Sequence, residues 1–215
     1  DITATNTANG LLVGGLVGRT QGKNSSSHIS IVDSYATGNV KATSTATGDL
    51  TNVFLWVGGL VGVAERSEIS TSYATGTVEA TGTEDTVGAG GLIGHATGVS
   101  GDTTHVSEVY ASGDVTATNT VDDAYAGGLV GTTYLVNLQN AYALGSVTAN
   151  GKTTSGAGGL VGPDDGGIVD ERAGDGDALA LPAGELRGAV RGPLGEADTV
   201  EGIHGASARL RRLHA

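Results

Sequence analysis

A chain of 215 residues is long enough for one or two ordinary domains, although a repeat array need not follow that count. It has no Cys, which excludes disulfides and thiolate metal sites, and no Met even at position 1, as expected of a processed, excised or partial chain. A net charge of −12, with Lys23, Lys41 and Lys152 as the lysines, argues against nucleic acid as a partner.

The chain opens with Asp1-Ile2-Thr3-Ala4-Thr5-Asn6-Thr7, and close copies follow at 39–45, 77–83, 114–120 and 146–150. Small apolar residues alternate with polar ones, the pattern of a half-buried strand. Counted from this string, units start near 1, 39, 77, 114 and 146, so they are 38, 38, 37 and 32 residues long. A repeat of that size points to stacked supersecondary units, and such units are read before anything else.

Gly-Gly-Leu-Val-Gly comes next, at Gly14–Gly18, Gly58–Gly62, Gly127–Gly131 and Gly158–Gly162, with Gly-Gly-Leu-Ile-Gly at Gly90–Gly94. Its residues read as a strand with Leu16 and Val17 on opposite faces. Leu12-Val13 and Trp56-Val57 keep both faces apolar in the first two copies, so a cover is expected on each face. The glycines suit a close approach of another backbone.

Each unit then carries an apolar residue (Ile31, Ile69, Val106, Leu138), a Tyr four residues later, and an Ala directly after the Tyr. The apolar residue and the Ala are an odd number of positions apart, so a straight strand would split them between faces. A bend or bulge is expected between them. The Thr-Gly or Ser-Gly that follows is expected to turn through a residue at positive φ.

Three short strands per unit predict an all-β fold: a β-solenoid, a right-handed β-helix of about four to five coils. Leu16, Leu60, Leu92, Leu129 and Leu160 would form one ladder, and Val40, Val78, Val115 and Val147 another. The array covers 1–162. Residues 163–215 hold a degenerate last coil and a Gly/Arg/Asp-rich stretch with Pro182 and Pro193, read either as a loose tail or as a cap, with a short helix proposed at Ala206–His214.

Candidate chemistry is sparse. Asn150-Gly151-Lys152-Thr153-Thr154 ends like a phosphate-binding loop, but the required earlier Gly is misplaced: position 146 is Ser. Gly88–Gly94 has the look of a dinucleotide loop, yet it repeats at Gly156–Gly162. His28, His95, His105, His204 and His214 have no second His at ligand spacing and read as solvated. Asp175 and Asp177, in Gly174-Asp175-Gly176-Asp177, form a Ca²⁺ candidate against the simpler reading of a solvated acidic loop. No other metal or cofactor is indicated, and no acid–base or nucleophile grouping stands out. Thr5, Thr43, Thr81 and Thr118, each followed two residues later by Thr, would stack as outward columns able to bind ice; Thr is also simply a good exposed strand residue.

The alternation of Gly-Gly-Leu-Val-Gly with Ser-Tyr-Ala-Thr-Gly-Asn-Val resembles the GLUG repeat of bacterial and archaeal surface proteins, over about residues 1–162. The resemblance implies an extracellular β-helical region of an adhesin-like protein or the non-catalytic part of a secreted peptidase, and brings no catalytic residues; an accessory region of a polysaccharide-active enzyme is a further expected alternative. Low Lys with abundant acid, Thr and Gly is similar to secreted halophile proteins; an ordinary acidic surface protein fits equally. The expected role is a non-catalytic scaffold at the cell surface. Stretches 19–30, 63–68, 95–105 and 132–137 are read as loops that meet a glycan or protein, with self-association as a further option. No membrane insertion is expected, since no run approaches the roughly 18 apolar residues of a span.

Overall fold

The computed structural model describes residues 1–7, 10–23, 27–47, 53–163 and the backbone of 168–172. The chain divides into a unit of Asp1–Ala180 and one of Leu181–Ala215, the latter wholly outside the described residues. Asp175 and Asp177 and the short helix expected at 206–214 also lie outside them.

Every regular element among the described residues is a strand. The first turn of chain supplies β1 (Ile2–Asn6), β2 (Leu11–Gly14), β3 (Val17–Gln21), β4 (Ile29–Val32) and β5 (Tyr35–Ala36). The next supplies β6 (Val40–Ser44), β7 (Phe54–Gly58), β8 (Val61–Glu65), β9 (Ser67–Ser70) and β10 (Tyr73–Ala74). Then come β11 (Val78–Gly82), β12 (Thr86–Gly90), β13 (Ile93–Thr97) and β14 (Thr104–Ala111), followed by β15 (Val115–Asn119), β16 (Asp123–Gly127), β17 (Val130–Tyr134) and β18 (Val136–Ala143). The last are β19 (Val147–Asn150), β20 (Ser155–Gly158) and β21 (Ile168–Arg172).

Like strands stack in parallel, giving four sheets rather than the three expected: β1-β6-β11-β15-β19, β2-β7-β12-β16-β20, β3-β8-β13-β17, and a fourth built from β4, β5, β9, β10, β14, β18 and β21. This is a β-solenoid. The register is strict, with Val40 beside Val78, Val78 beside Val115 and Val115 beside Val147.

The core has two parts. Val40, Ala42, Val78, Ala80, Val115 and Ala117 of the first sheet pack on Leu55, Val57, Val87, Ala89, Ala124 and Ala126 of the second. Leu60, Val61, Leu92, Ile93, Leu129 and Val130 pack with Ile69, Ala74, Val106, Ala111 and Leu138 of the fourth sheet. Fixed Val and Ala columns suit this arrangement, because a column of identical residues fills the space between sheets evenly from turn to turn.

The expectation of a continuous Gly-Gly-Leu-Val-Gly strand is corrected. The motif is a corner: β2, β7, β12 and β16 end on its first glycine, and β3, β8, β13 and β17 start after its Leu. Leu60 and Val61 are fully buried in the same core part, as are Leu92-Ile93 and Leu129-Val130. A corner turns the motif's consecutive Leu and Val to one side, whereas Leu12 and Trp56, on the straight strands before it, do face away from the core. The terminal copy of the column differs, since Leu16 is exposed.

The motif's glycines serve contact rather than conformation. A Cβ on Gly94 would stand 2.7 Å from the Val57 nitrogen, so the third sheet can pass directly against the second. A Cβ on Gly59 would stand 2.0 Å from the Gly91 carbonyl oxygen and 2.9 Å from Ala74 Cβ. Gly15, Gly91 and Gly128 meet Ala36, Ala111 and Ala143 in the same way. The glycine motif and the Tyr-Ala motif therefore recur together because they share one packing site.

The bend expected before the Tyr is present. Asp33, Thr71, Glu108 and Asn140, each two residues before its Tyr, take φ of 50°, 49°, 54° and 50°. The glycines after the Tyr-Ala do not: the described glycines at positive φ are Gly10 and Gly101. Gly76, Gly113 and Gly145 are required instead by stacking, as a Cβ on each would stand 2.0 Å from the carbonyl oxygen of the equivalent glycine one turn earlier.

Candidate functional site

The second and third sheets meet at the glycine corner, and their outward faces form the walls of a groove of about 610 Å³. One wall carries the row Leu12, Trp56, Gly88, Tyr125, set by register across β2, β7, β12 and β16. The other carries Arg19, Val63, His95 and Thr132 across β3, β8, β13 and β17. Phe54, Thr86 and Glu65 complete it.

Strand alternation explains why Trp56 points outward. Leu55 and Val57 take the inward positions of β7 and are fully buried, leaving Phe54 and Trp56 on the other face. Gly88 then decides where the ring goes. With no side chain on the adjacent strand, the indole lies across Gly88, where a Cβ would meet its Cζ3 at 2.1 Å. This brings Trp56 to His95 with ring centroids 4.8 Å apart and planes 19° apart, and Phe54 also stacks with Trp56, at 5.6 Å. Trp56 is 9% exposed, so it forms the floor of the groove rather than a free platform.

The polar side chains are paired. Arg19 Nη2 donates to Glu65 Oε1 at 2.7 Å, and Gln21 Nε2 donates to Glu65 Oε2 at 2.6 Å. His95 Nδ1 lies 2.7 Å from Thr132 Oγ1, and Tyr125 donates its hydroxyl to Asp123 Oδ2 at 2.9 Å. The groove thus offers aromatic and aliphatic surface flanked by planar polar groups whose charges are largely balanced.

The expected partner-binding stretches are mostly strand. Residues 19–21, 63–65, 95–97 and 132–134 belong to the third sheet, and the turn into the fourth sheet is a sharp corner at Arg66 (φ 43°) and Leu135 (φ 52°). A longer connection lies at 98–103, where Asp102 Oδ1 sits 2.5 Å from His28 Nε2. His95 is not a solvated loop residue but a strand residue against Trp56. His105 also lies in a strand, β14, and is exposed.

Thr5, Thr43, Thr81 and Thr118 are neighbours in one outward column of the first sheet, and Asn150 continues it. Two residues earlier, the column is interrupted by Lys41, whose Nζ donates to Glu79 Oε1 at 2.8 Å. Two residues later the strands have ended, and Thr83 donates its hydroxyl to the Ala46 carbonyl at 2.8 Å. Asn119 closes that turn: its Nδ2 donates to the carbonyls of Glu84 and Asp123, and its Oδ1 accepts from the amides of Val121 and Asp122.

On the fourth sheet Tyr35, Tyr73, Tyr110 and Tyr142 stack face to face, with successive centroids 5.2, 4.8 and 5.1 Å apart. Burial, and secondarily the neighbouring Tyr73, push the Tyr110 hydroxyl above the ordinary tyrosine range. Among the described residues no group of three or more His, Asp or Glu could hold a metal ion, and no helix is long and apolar enough to cross a membrane.

A family model, the GLUG motif, matches residues 9–41 and 57–79. Each matched stretch contains a glycine corner, the left-handed bend and the Tyr-Ala that packs on the corner, and reaches into the next first-sheet strand. A search of curated proteins finds no match.

Proposed function

From a chain that carries the GLUG motif in a parallel, four-sheet ladder, we propose a non-catalytic scaffold of a cell-surface adhesin or stalk. The observation that carries the reading is the strict register, which places equivalent positions of successive turns on the same outer face and so displays side chains in rows. The lateral groove is the contact surface in this reading. The solenoid, read as four to five right-handed coils, occupies 1–162, and 163–215 form a tail or cap. The partner is a glycan or protein, and calcium at Asp175 and Asp177 is not needed for it. The motif brings no catalytic group, in keeping with a binding role; as an accessory region of a secreted enzyme the scaffold would do the same work.

Antibodies raised against this chain and applied to intact cells of its source test the proposal. Labelling of unbroken cells, removed by external protease, is expected. Labelling only after lysis would contradict a surface role.

The aligned column of Thr5, Thr43, Thr81 and Thr118 supports a second reading, ice binding. The Lys41–Glu79 pair beside it breaks the flat hydroxyl array that reading needs. Thermal hysteresis and ice shaping by the purified chain separate the two; their absence removes the second.

A further inference from the structure

We propose that the groove between the second and third sheets binds a neutral linear oligosaccharide, with sugar rings against Phe54, Leu12 and Tyr125 and hydroxyls at the Arg19–Glu65 pair. This rests on the reading of the chain as a surface-displayed binding scaffold and names the ligand of its groove.

Size is the first ground. The cavity of about 610 Å³ lies within the range of small-ligand sites, roughly 300–1,000 Å³. Wall chemistry is the second. A pyranose ring has an apolar face of C–H groups and a rim of hydroxyls that both donate and accept. Phe54 and Tyr125 are half-buried and supply aromatic surface for the face. Arg19 and Glu65 supply donors and acceptors for the rim, held in place by their own hydrogen bond and by Gln21, which donates to the second Glu65 oxygen. Such pairing fixes the planar groups before a ligand arrives, which lowers the ordering cost of binding.

Charge narrows the ligand. The guanidinium of Arg19 is already matched by Glu65, and the chain as a whole carries −12. A polyanion would meet repulsion with no unmatched cationic row to offset it. Backbone pairing narrows it further. An extended peptide gains affinity by adding to an unpaired sheet edge. In the groove, β7, β8, β12 and β13 are each paired on both sides, so no such edge is offered.

The geometry also sets the direction and the number of sites. Both walls run along the stacking direction, with one position about every 4.8 Å. A linear ligand lies along them. The row is not uniform, however: Trp56 and Tyr125 alternate with Gly88 and Gly156, so one subsite centred on Trp56 is formed rather than one per turn.

Trp56 is the single tryptophan of the chain and reports on its own groove. The purified chain is titrated with cellohexaose, chitohexaose and mannohexaose, following Trp56 emission and heat release, alongside dextran sulfate and an unstructured peptide. A saturable response to at least one neutral hexasaccharide is expected, weakened at least 10-fold by Arg19→Ala and by Phe54→Ala and unchanged by Tyr35→Ala on the fourth sheet. Far-UV spectra and melting curves confirm that each variant is folded. No saturable response to the three sugars, equal responses in all variants, or binding confined to dextran sulfate or peptide would overturn the inference. Labelled intact cells together with a silent groove would remove the sugar ligand and leave the surface scaffold standing.

Discussion

At the corner of each turn an alanine methyl and a missing methyl share one space. The Ala111 Cβ lies 2.8 Å from where a Cβ on Gly91 would sit, and the Gly128 carbonyl oxygen lies 2.1 Å from the same point. The backbone carbonyl cannot rotate away, so Gly91→Ala should cost about 3 kcal/mol, the upper end for overpacking. Gly101→Ala is the control: φ is +81° but nothing lies within 4 Å, so its cost is backbone strain alone, about 1 kcal/mol. Urea unfolding of the two variants should therefore give clearly different midpoints. Thr71 offers the opposite test. It is β-branched and exposed at φ 49°, where equivalent positions hold Asp33 and Asn140. Thr71→Asn should stabilise by about 0.5 kcal/mol, visible as a raised Tm, because Asn tolerates the left-handed region better. The bend itself was legible in the odd spacing between Ile69 and Ala74. The role of the glycines was only half legible, since a contact with Ala111 and a turn at positive φ leave the same letter in the sequence.

Among the elements, the first-sheet strands were the most readable. Val40-Lys41-Ala42-Thr43 alternates cleanly, and the structure buries Val40 and Ala42 and turns Lys41 outward. The corner was misread because Leu60 and Val61 are adjacent and apolar, which period-two reasoning assigns to opposite faces; a bend between β7 and β8 sends both inward. The groove was not readable at all. Trp56 and His95 belong to different strands and turns, and they touch only because Gly88 leaves the intervening position empty. The tyrosine ladder of the fourth sheet carries its own prediction. The Tyr110 hydroxyl is held above the ordinary range by burial and then by Tyr73, so the native state keeps that proton to higher pH than the unfolded chain. Its stabilising contribution is complete below the unfolded tyrosine pKa of about 10 and is lost as pH rises through the higher native value. Melting temperature should fall in that window, and the fall should be smaller in Tyr110→Phe.

For the molecule as a whole, charge and stacking act against each other. The net charge of −12 leaves a surplus of carboxylates around the local ion pairs Arg19–Glu65 and Lys41–Glu79. Exposed pairs contribute only about 0–1 kcal/mol each. Screening of the net repulsion should outweigh their weakening, so Tm is expected to rise when NaCl is raised from about 0.01 to 0.15 M, as the Debye length falls from about 30 to 8 Å. Against that repulsion stands the ladder, in which each turn gains most of its buried area from the turns beside it. The ladder also holds both walls of the groove, so the binding account depends on it. Because the chain has no Cys, nitroxide labels can be placed at Thr3→Cys and Thr148→Cys alone. These exposed positions end one first-sheet column that runs through Lys41, Glu79 and Thr116. Pulsed electron paramagnetic resonance should give one narrow distance distribution near four strand spacings, roughly 19 Å between the Cα atoms, widened only by the label arms. A broad distribution, or one centred beyond about 35 Å, would contradict the stacked parallel register on which the scaffold and its groove are built.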